Sequence, residues 1–285
     1  MTKKQAEFLL ASVIIARSTG YLFTKIAMEG LQTFNLLALR FIFAFLLLVI
    51  LFGHKIKGLH MQTVIRGMII GGLYTAVMAA ELYGLQMTDT ATISFLENAA
   101  IVFVPLFEAV LYRKLPKPKV LIGTCVAFVG IGCLTIGRNG GTISIGCLVC
   151  LLSAVLYAIA IIVTDRFARN DDAFVLGILQ VGFMGIFSTF LTFAIENPRL
   201  PVGTKEWIMV LLLVIICSGF GFTLQPLAQK YVSAERTGMF CALNPLAATV
   251  LGGIFLQERL GVYGVVGCVL ILMGIVLPSC SKRKG

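Results

Sequence analysis

Charge is what this chain has least of. Only 13% of its 285 residues are Asp, Glu, Lys or Arg, about half the share of an ordinary soluble domain. Acids are scarcer than bases, 13 against 23, and there are two His and one Trp. The space is taken by hydrophobic residues, 59% of the chain, for a mean hydropathy of +0.98. So much apolar surface cannot be hidden inside one soluble domain of this size, and the same numbers exclude disorder. No Walker loop, HExxH or GxSxG motif occurs, so neither an ATP-driven step nor an enzyme is expected. No cofactor or metal is implied. His54 and His60 fall in one short polar loop and are expected to be solvated.

What is there is a series of long apolar runs. A helix crossing about 30 Å of hydrocarbon needs roughly 20 apolar residues. Ten stretches qualify, at about 8–28, 34–53, 64–86, 91–112, 119–137, 143–164, 173–195, 206–228, 236–256 and 262–279. They are continuously apolar and too long for barrel strands, which alternate over about 10 residues. Lys3 and Lys4 precede an apolar run, but Arg17 interrupts it and no small-residue cleavage site follows, so a signal peptide is not the expectation.

The basic residues orient the spans. With the N-terminus cytoplasmic, 16 Lys and Arg fall in inner segments and only Arg138, Arg199, Lys205 and Arg259 in outer loops. This bias favours ten spans with both termini inside a plasma (inner) membrane. The net charge of +10 then faces the anionic cytoplasmic leaflet, and no nucleic-acid partner is needed to explain it. The expected partners are the bilayer and a small-molecule solute, with the chain a monomer or a homodimer.

Seven of the eight cysteines lie inside apolar stretches. Cys147 and Cys150 make a CxxC, but no second pair or His is near them in the sequence. They read as small apolar packing residues, with no disulfide framework. Asp165, Asp171 and Asp172 flank Arg166 and Arg169 and read as a solvated loop.

The chain also repeats itself. Residues 90–115 match 235–260, with Thr92 on Thr237 and Leu115 on Leu260. After one inserted residue, Gly123 and Gly130 match Gly267 and Gly274, and Arg40 falls opposite Gln180. The expected units are 1–140 and 141–285. Five spans per copy is an odd number, so the second copy must enter the membrane upside down, the inverted-repeat design of secondary transporters.

The ninth span carries Asn244-Pro245 and ends Leu256-Gln257-Glu258-Arg259-Leu260, with Gly267 and Gly274 in the helix that follows. Together with Lys25 and Arg40-Phe41, these residues resemble the EamA-type family of the drug/metabolite transporter superfamily. The resemblance covers essentially the whole chain. It implies an all-α integral membrane fold of ten helices in two inverted five-helix repeats. It also implies export or exchange of a small metabolite, with helices one to four and six to nine around the cavity. The first copy departs from the pattern, with Arg113 where Glu is expected and Ala100 where Pro is.

Charged residues within spans are costly and are functional candidates by default. Arg17, Arg40, Glu81 and Glu97 are the candidate solute-binding residues, with Asn244 a weaker fifth. The alternative is an internal ion-pair cluster that fixes helix packing. Asn98 lies about 100° from Glu97 on a continuous helix, so only one of the two is expected to face a cavity. Lys25 can snorkel to the interface. Tyr157, Gln180 and Gln225 are neutral candidates for solute hydrogen bonds. Pro105, Pro226 and Pro245 can kink spans, and Gly71-Gly72 and Gly252-Gly253 permit close helix approach. The expected solute is amino acid-like or cationic. The expected mechanism is export by alternating access, and a proton loaded on Glu97 or Glu81 is one way to couple it. The alternatives are an uncoupled uptake carrier for a sugar, nucleotide or amine, and a non-transporting scaffold.

Overall fold

The computed structural model describes residues 1–56, 58–87, 96–113, 116, 118–136, 145–244, 246–247 and 262–277. Among them there is no strand. The helices are α1 (Lys3–Ala27), α2 (Thr33–Phe52, with a 3-10 turn Gly53–Ile56), α3 (Met61–Met87), α4 (Ala100–Tyr112), α5 (Pro118–Ile136), α6 (Ile145–Asn170), α7 (Ala173–Ile195), α8 (Gly203–Gln229), α9 (Ala234–Cys241) and α10 (Val262–Val276). α1, α2, α3, α6, α7 and α8 are long and apolar enough to cross a bilayer, and α4, α5 and α10 contain shorter apolar helices. The expected spans 91–112 and 236–256 lie partly outside the described residues, as do Pro245, Gly252-Gly253 and the Leu256–Leu260 motif.

Local sequence explains where several helices begin. Thr2 and Gln5 close a capping box at α1, each side chain accepting from the other's backbone N–H, at 3.3 and 2.8 Å. Asp172 accepts from Phe174 N and Val175 N at α7. The start of α2 is capped from afar. Both carboxylate oxygens of Glu196 accept its first backbone N–H groups, Phe34 N at 2.9 Å and Asn35 N at 2.8 Å.

The helices form two compact units, residues 1–79 with 163–232 and residues 80–162 with 233–285. Each draws on both sequence copies, so the packing units and the repeats are different divisions of the chain.

In the first unit α2 lies along α7. A Cβ at Gly182 would meet the Phe45 ring, and one at Gly185 would meet Ile42. Residue numbers rise along one helix as they fall along the other, so the pair is antiparallel. α3 comes close to α7 through Gly71, which abuts Phe183 Cβ and the Gln180 carbonyl. In the second unit α5 lies along α10 by the same rule. A Cβ at Gly130 would lie 2.9 Å from the Gly267 carbonyl, and one at Gly274 would lie 2.6 Å from the Gly123 carbonyl. Hydrogen at these positions is what lets the backbones meet.

The first unit has two polar ends. At one, Lys205 Nζ meets Glu29 at 2.9 Å and Arg199 meets Glu206 at 3.2 Å, beside the Glu196 cap. At the other, Asp171 accepts from Thr63 Oγ1 at 2.9 Å and pairs with Arg66 at 2.7 Å, while Lys230 Nζ donates to its carbonyl at 3.1 Å. Lys55 stands over the Phe174 ring there. Asp171 is therefore not the solvated residue that the sequence suggested. Its side chain is 10% exposed, because the short α6–α7 connection lays it against the start of α3. Asp165 likewise pairs with Arg169 one turn on, at 2.9 Å.

Candidate functional site

A guanidinium within an apolar helix needs donors satisfied and its charge faced by something polarisable. Arg17, midway along α1, donates from Nη1 to Gln225 Oε1 at 2.5 Å. Gln225 Nε2 in turn donates to Tyr74 Oη at 2.7 Å. The Arg17 Cζ lies 4.1 Å from the Phe222 ring centroid and 5.9 Å from that of Tyr74. Arg40, on α2, donates from Nε to Ser218 Oγ at 3.0 Å. Its Cζ lies 4.8 Å from the Phe41 ring and 5.9 Å from Phe222. Phe222 is thus the ring that both arginines share, set edge-on to Phe41 and Tyr74 with centroids 5.3 and 5.6 Å apart. Arg40, Ser218, Phe222, Gln225 and Tyr74 are all buried, whereas Arg17 is half-buried.

One local irregularity in α8 organises this cluster. Residues Leu213–Phe222 form a π-helical segment, and such segments are rare and frequent at functional sites. The wider turn shows in the i−5 spacing: Thr223 Oγ1 donates to the Ser218 carbonyl at 3.4 Å, and a Cβ at Gly219 would meet the Val214 carbonyl at 3.0 Å. Ser218 and Phe222 both belong to this segment. Gly221 leaves room for the Arg17 stem, whose Cγ stands 2.7 Å from where a Cβ would be. Cys217 packs on Gly20 and donates to the Ala16 carbonyl at 3.4 Å.

The other candidates belong to the second unit. Glu81, Glu97 and Asn244 are buried there, as are Asn98 and Tyr157. The thiol of Cys241 donates to Tyr157 Oη at 3.5 Å. The expectation that only one of Glu97 and Asn98 would be inward-facing assumed an unbroken helix. The chain instead turns at Asn98–Ala99 before α4 begins, and both residues are buried.

The structure therefore brings Arg17 and Arg40 together around one ring and sets Glu81, Glu97 and Asn244 in the other compact unit. Gln225, singled out as a neutral hydrogen-bonding residue, reaches Arg17 directly. Lys25 is exposed in the last turn of α1, and His54 and His60 are exposed. Cys150 is buried against Gly84. No cluster of three metal-ligating side chains occurs among the described residues. Sequence reasoning missed Tyr74, Ser218 and Phe222. The nearest available signal was the Gly219-Phe220-Gly221-Phe222 run, two glycines interrupting a span beside aromatic residues.

The model of the EamA-like transporter family matches residues 4–136 and again 144–280. The chain belongs to the EamA-like transporter family. The EamA domain is duplicated in it, and it is a multi-pass membrane protein. Among its relatives is a protein of Archaeoglobus fulgidus described as an uncharacterized transporter, 22% identical over 98% of this chain and 99% of that one. Two uncharacterized transporters of Bacillus subtilis are similar: YcxC, 23% identical over 97% and 94% of the two chains, and YvbV, 26% over 99% and 94%. A solved crystal structure shares the fold with a TM-score of 0.80 at 20% identity, covering 97% of this chain and 96% of the other.

Proposed function

We propose that this EamA-like protein is a secondary transporter that exports a small polar metabolite by alternating access. The observation that carries the reading is the exchange of contacts between equivalent residues of the two copies. Gly130 meets Gly267 as Gly274 meets Gly123, and Ile42 meets Gly185 as Phe45 meets Gly182. A contact repeated with its partners exchanged is the mark of a local two-fold axis. Because each pair is antiparallel, the axis lies across the helices, as two copies inserted with opposite topology require.

The proposed arrangement is ten membrane-spanning helices as repeats 1–140 and 141–285 in the plasma (inner) membrane, with both termini cytoplasmic. It is supported by the polar ends of the first unit. Lys55, Arg66, Arg169 and Lys230, all read as inner residues, cluster near the Asp171 end, and Arg199 and Lys205 near the Glu196 end. Arg17 and Arg40 are the proposed solute-binding residues of the first unit; Glu81, Glu97 and Asn244 are the candidates of the second, considered by itself. Protonation of Glu97 or Glu81 couples export to the proton gradient. The protein works as a monomer or homodimer within the bilayer and needs no nucleic acid.

The test is flux from proteoliposomes loaded with radiolabelled amino acids, organic acids, amines and sugars. A saturable flux of one class that slows when the pH gradient is collapsed is the expected result. A pH-insensitive flux removes the coupling step and leaves an uncoupled carrier. No flux of any class removes transport itself and leaves a scaffold.

A further inference from the structure

We infer that the first unit holds one phospholipid, zwitterionic and with a primary ammonium headgroup, in a groove between α2 and α7. Only a bilayer is required, so the lipid site goes beyond the transporter reading and survives a failure to find flux. The groove has a volume of about 380 Å³, inside the range of about 300–1,000 Å³ typical of small-molecule sites. α2 lines it with Asn35, Leu39, Ile42 and Phe43, which share one face of the helix. The stretch from Asn35 to Phe43 is about 12 Å of helix. Thr189 and Phe193 of α7 form the facing wall, and the chain after α7 lays Pro198, Arg199 and Leu200 across the polar end. All these residues belong to the first unit.

The walls select an apolar occupant. Thr189 Oγ1 donates to the Gly185 carbonyl and Thr192 Oγ1 to the Ser188 carbonyl, both at 2.8 Å. A hydroxyl has one proton to donate, so both threonines spend theirs on their own helix. Asn35 Nδ2 is likewise turned to the Asn197 carbonyl, at 3.4 Å. A sugar or amino acid in the groove would leave polar groups without partners, which is costly. A hydrocarbon chain has none to lose. Phe193 is 73% exposed, so the groove opens sideways to the surface that faces lipid.

The polar end selects the headgroup. The Arg199 side chain is 45% exposed and meets Glu206 through Nη2 alone. Its Nε and Nη1 donors remain for a phosphate, whose oxygens match the guanidinium fork. The charges at this end balance. Arg199 pairs with Glu206 and Lys205 with Glu29. The Glu196 carboxylate caps α2, and Lys25 is exposed in the last turn of α1. Anionic lipids are drawn by clusters of basic residues without such partners. A zwitterion fits the balance, with its phosphate on Arg199 and its ammonium on the Glu206 carboxylate beside it. A primary ammonium has N–H groups to donate there, and a quaternary one has none.

The experiment uses the full-length protein, stripped of lipid in detergent and offered an equimolar mixture of phosphatidylethanolamine, phosphatidylcholine and phosphatidylglycerol. Native mass spectrometry reads which lipid each chain retains, and thermal melts with each lipid alone read the stabilisation that binding brings. The expected result is one phosphatidylethanolamine per chain, retained in preference to the other two. Arg199→Gln lowers that retention roughly tenfold, the size expected for lost bonds between charged groups. Thr189→Phe, which puts a ring into the groove, removes it, and lipid-free melts of both variants report that they are folded. A phosphatidylethanolamine with a photoreactive acyl chain needs no variant, and is expected to label peptides within 35–43 or 189–200. Label confined to other peptides overturns the inference. So does preferred retention of phosphatidylglycerol, equal retention of phosphatidylcholine, or retention unaltered in folded Thr189→Phe. A lipid-free dimer that Thr189→Phe disperses also overturns it, and makes a second copy of the chain the occupant of the groove.

Discussion

Phe222 shows what a single residue contributes when charges meet in an apolar setting. Its ring faces both Arg17 and Arg40, and such contacts contribute roughly 0.5–2 kcal/mol each, more when desolvated. Phe222→Leu keeps the apolar bulk and removes the π face. The expected outcome is a lower detergent melting midpoint, and Phe222→Tyr should lie closer to the native protein. An equal effect of both substitutions would show that bulk alone matters. The arginines were legible in the sequence because a charge within an apolar run stands out against its neighbours. Phe222 was not, since it is one of 21 phenylalanines and nothing in composition distinguishes the ring that two cations share. Asp171 was misread for a related reason. A carboxylate in a short polar loop reads as solvated until its distant partners, Thr63 and Arg66, are in place. Replacing Asp171 by Ala removes both of those bonds and leaves a half-buried guanidinium to be resolvated. The expected loss is about 1.5–3 kcal/mol of stability, the range for hydrogen bonds to charged groups. A melt unchanged from the native one would return Asp171 to the solvated class.

At the scale of the element, hydropathy found the six long helices that the structure describes, because the bilayer sets their length and composition together. It could not find what happens inside them. The π segment of α8 has the same composition as an α-helix, and hydrogen-bond register leaves no mark in a hydropathy pattern. Deleting Ile215, an exposed residue in this segment, should let α-helical bonding run through, keeping the flanking parts of α8 and re-aiming the residues inside the segment. Helical content by circular dichroism is expected to hold. The detergent melting midpoint is expected to fall, as Ser218 and Phe222 lose their contacts with Arg40 and Arg17. An unchanged midpoint would mean that the π register does not set the cluster. The start of α2 was equally hidden, since its cap comes from Glu196, more than 160 residues away. Glu196→Ala leaves two N–H groups at a helix N-terminus without their carboxylate. A loss of about 0.5–2 kcal/mol is expected from the general size of capping effects, read as a lower melting midpoint.

At the scale of the whole molecule, the repeat was legible through a few glycines, and its consequence for packing was not. Gly123, Gly130, Gly267 and Gly274 marked equivalent positions in the sequence, and they prove to be where α5 and α10 touch. What the sequence does not reveal is that helices of one copy pack on helices of the other, so that each compact unit mixes the two. This changes which bodies should move in alternating access. If the sequence halves rock against each other, α2 and α7 must separate or slide, because they belong to different copies. If the compact units are the moving bodies, α2 and α7 travel together. A disulfide between Phe45→Cys and Gly182→Cys decides the matter, since a Cβ at Gly182 lies 2.7 Å from the Phe45 ring and removing that ring makes room for the bridge. Packing within the first unit predicts that flux of the cross-linked protein equals flux after reduction with dithiothreitol. Flux that stops on oxidation and returns on reduction would make the sequence repeats the moving bodies. A monothiol control, Phe45→Cys alone, separates the effect of the bridge from that of the lost ring.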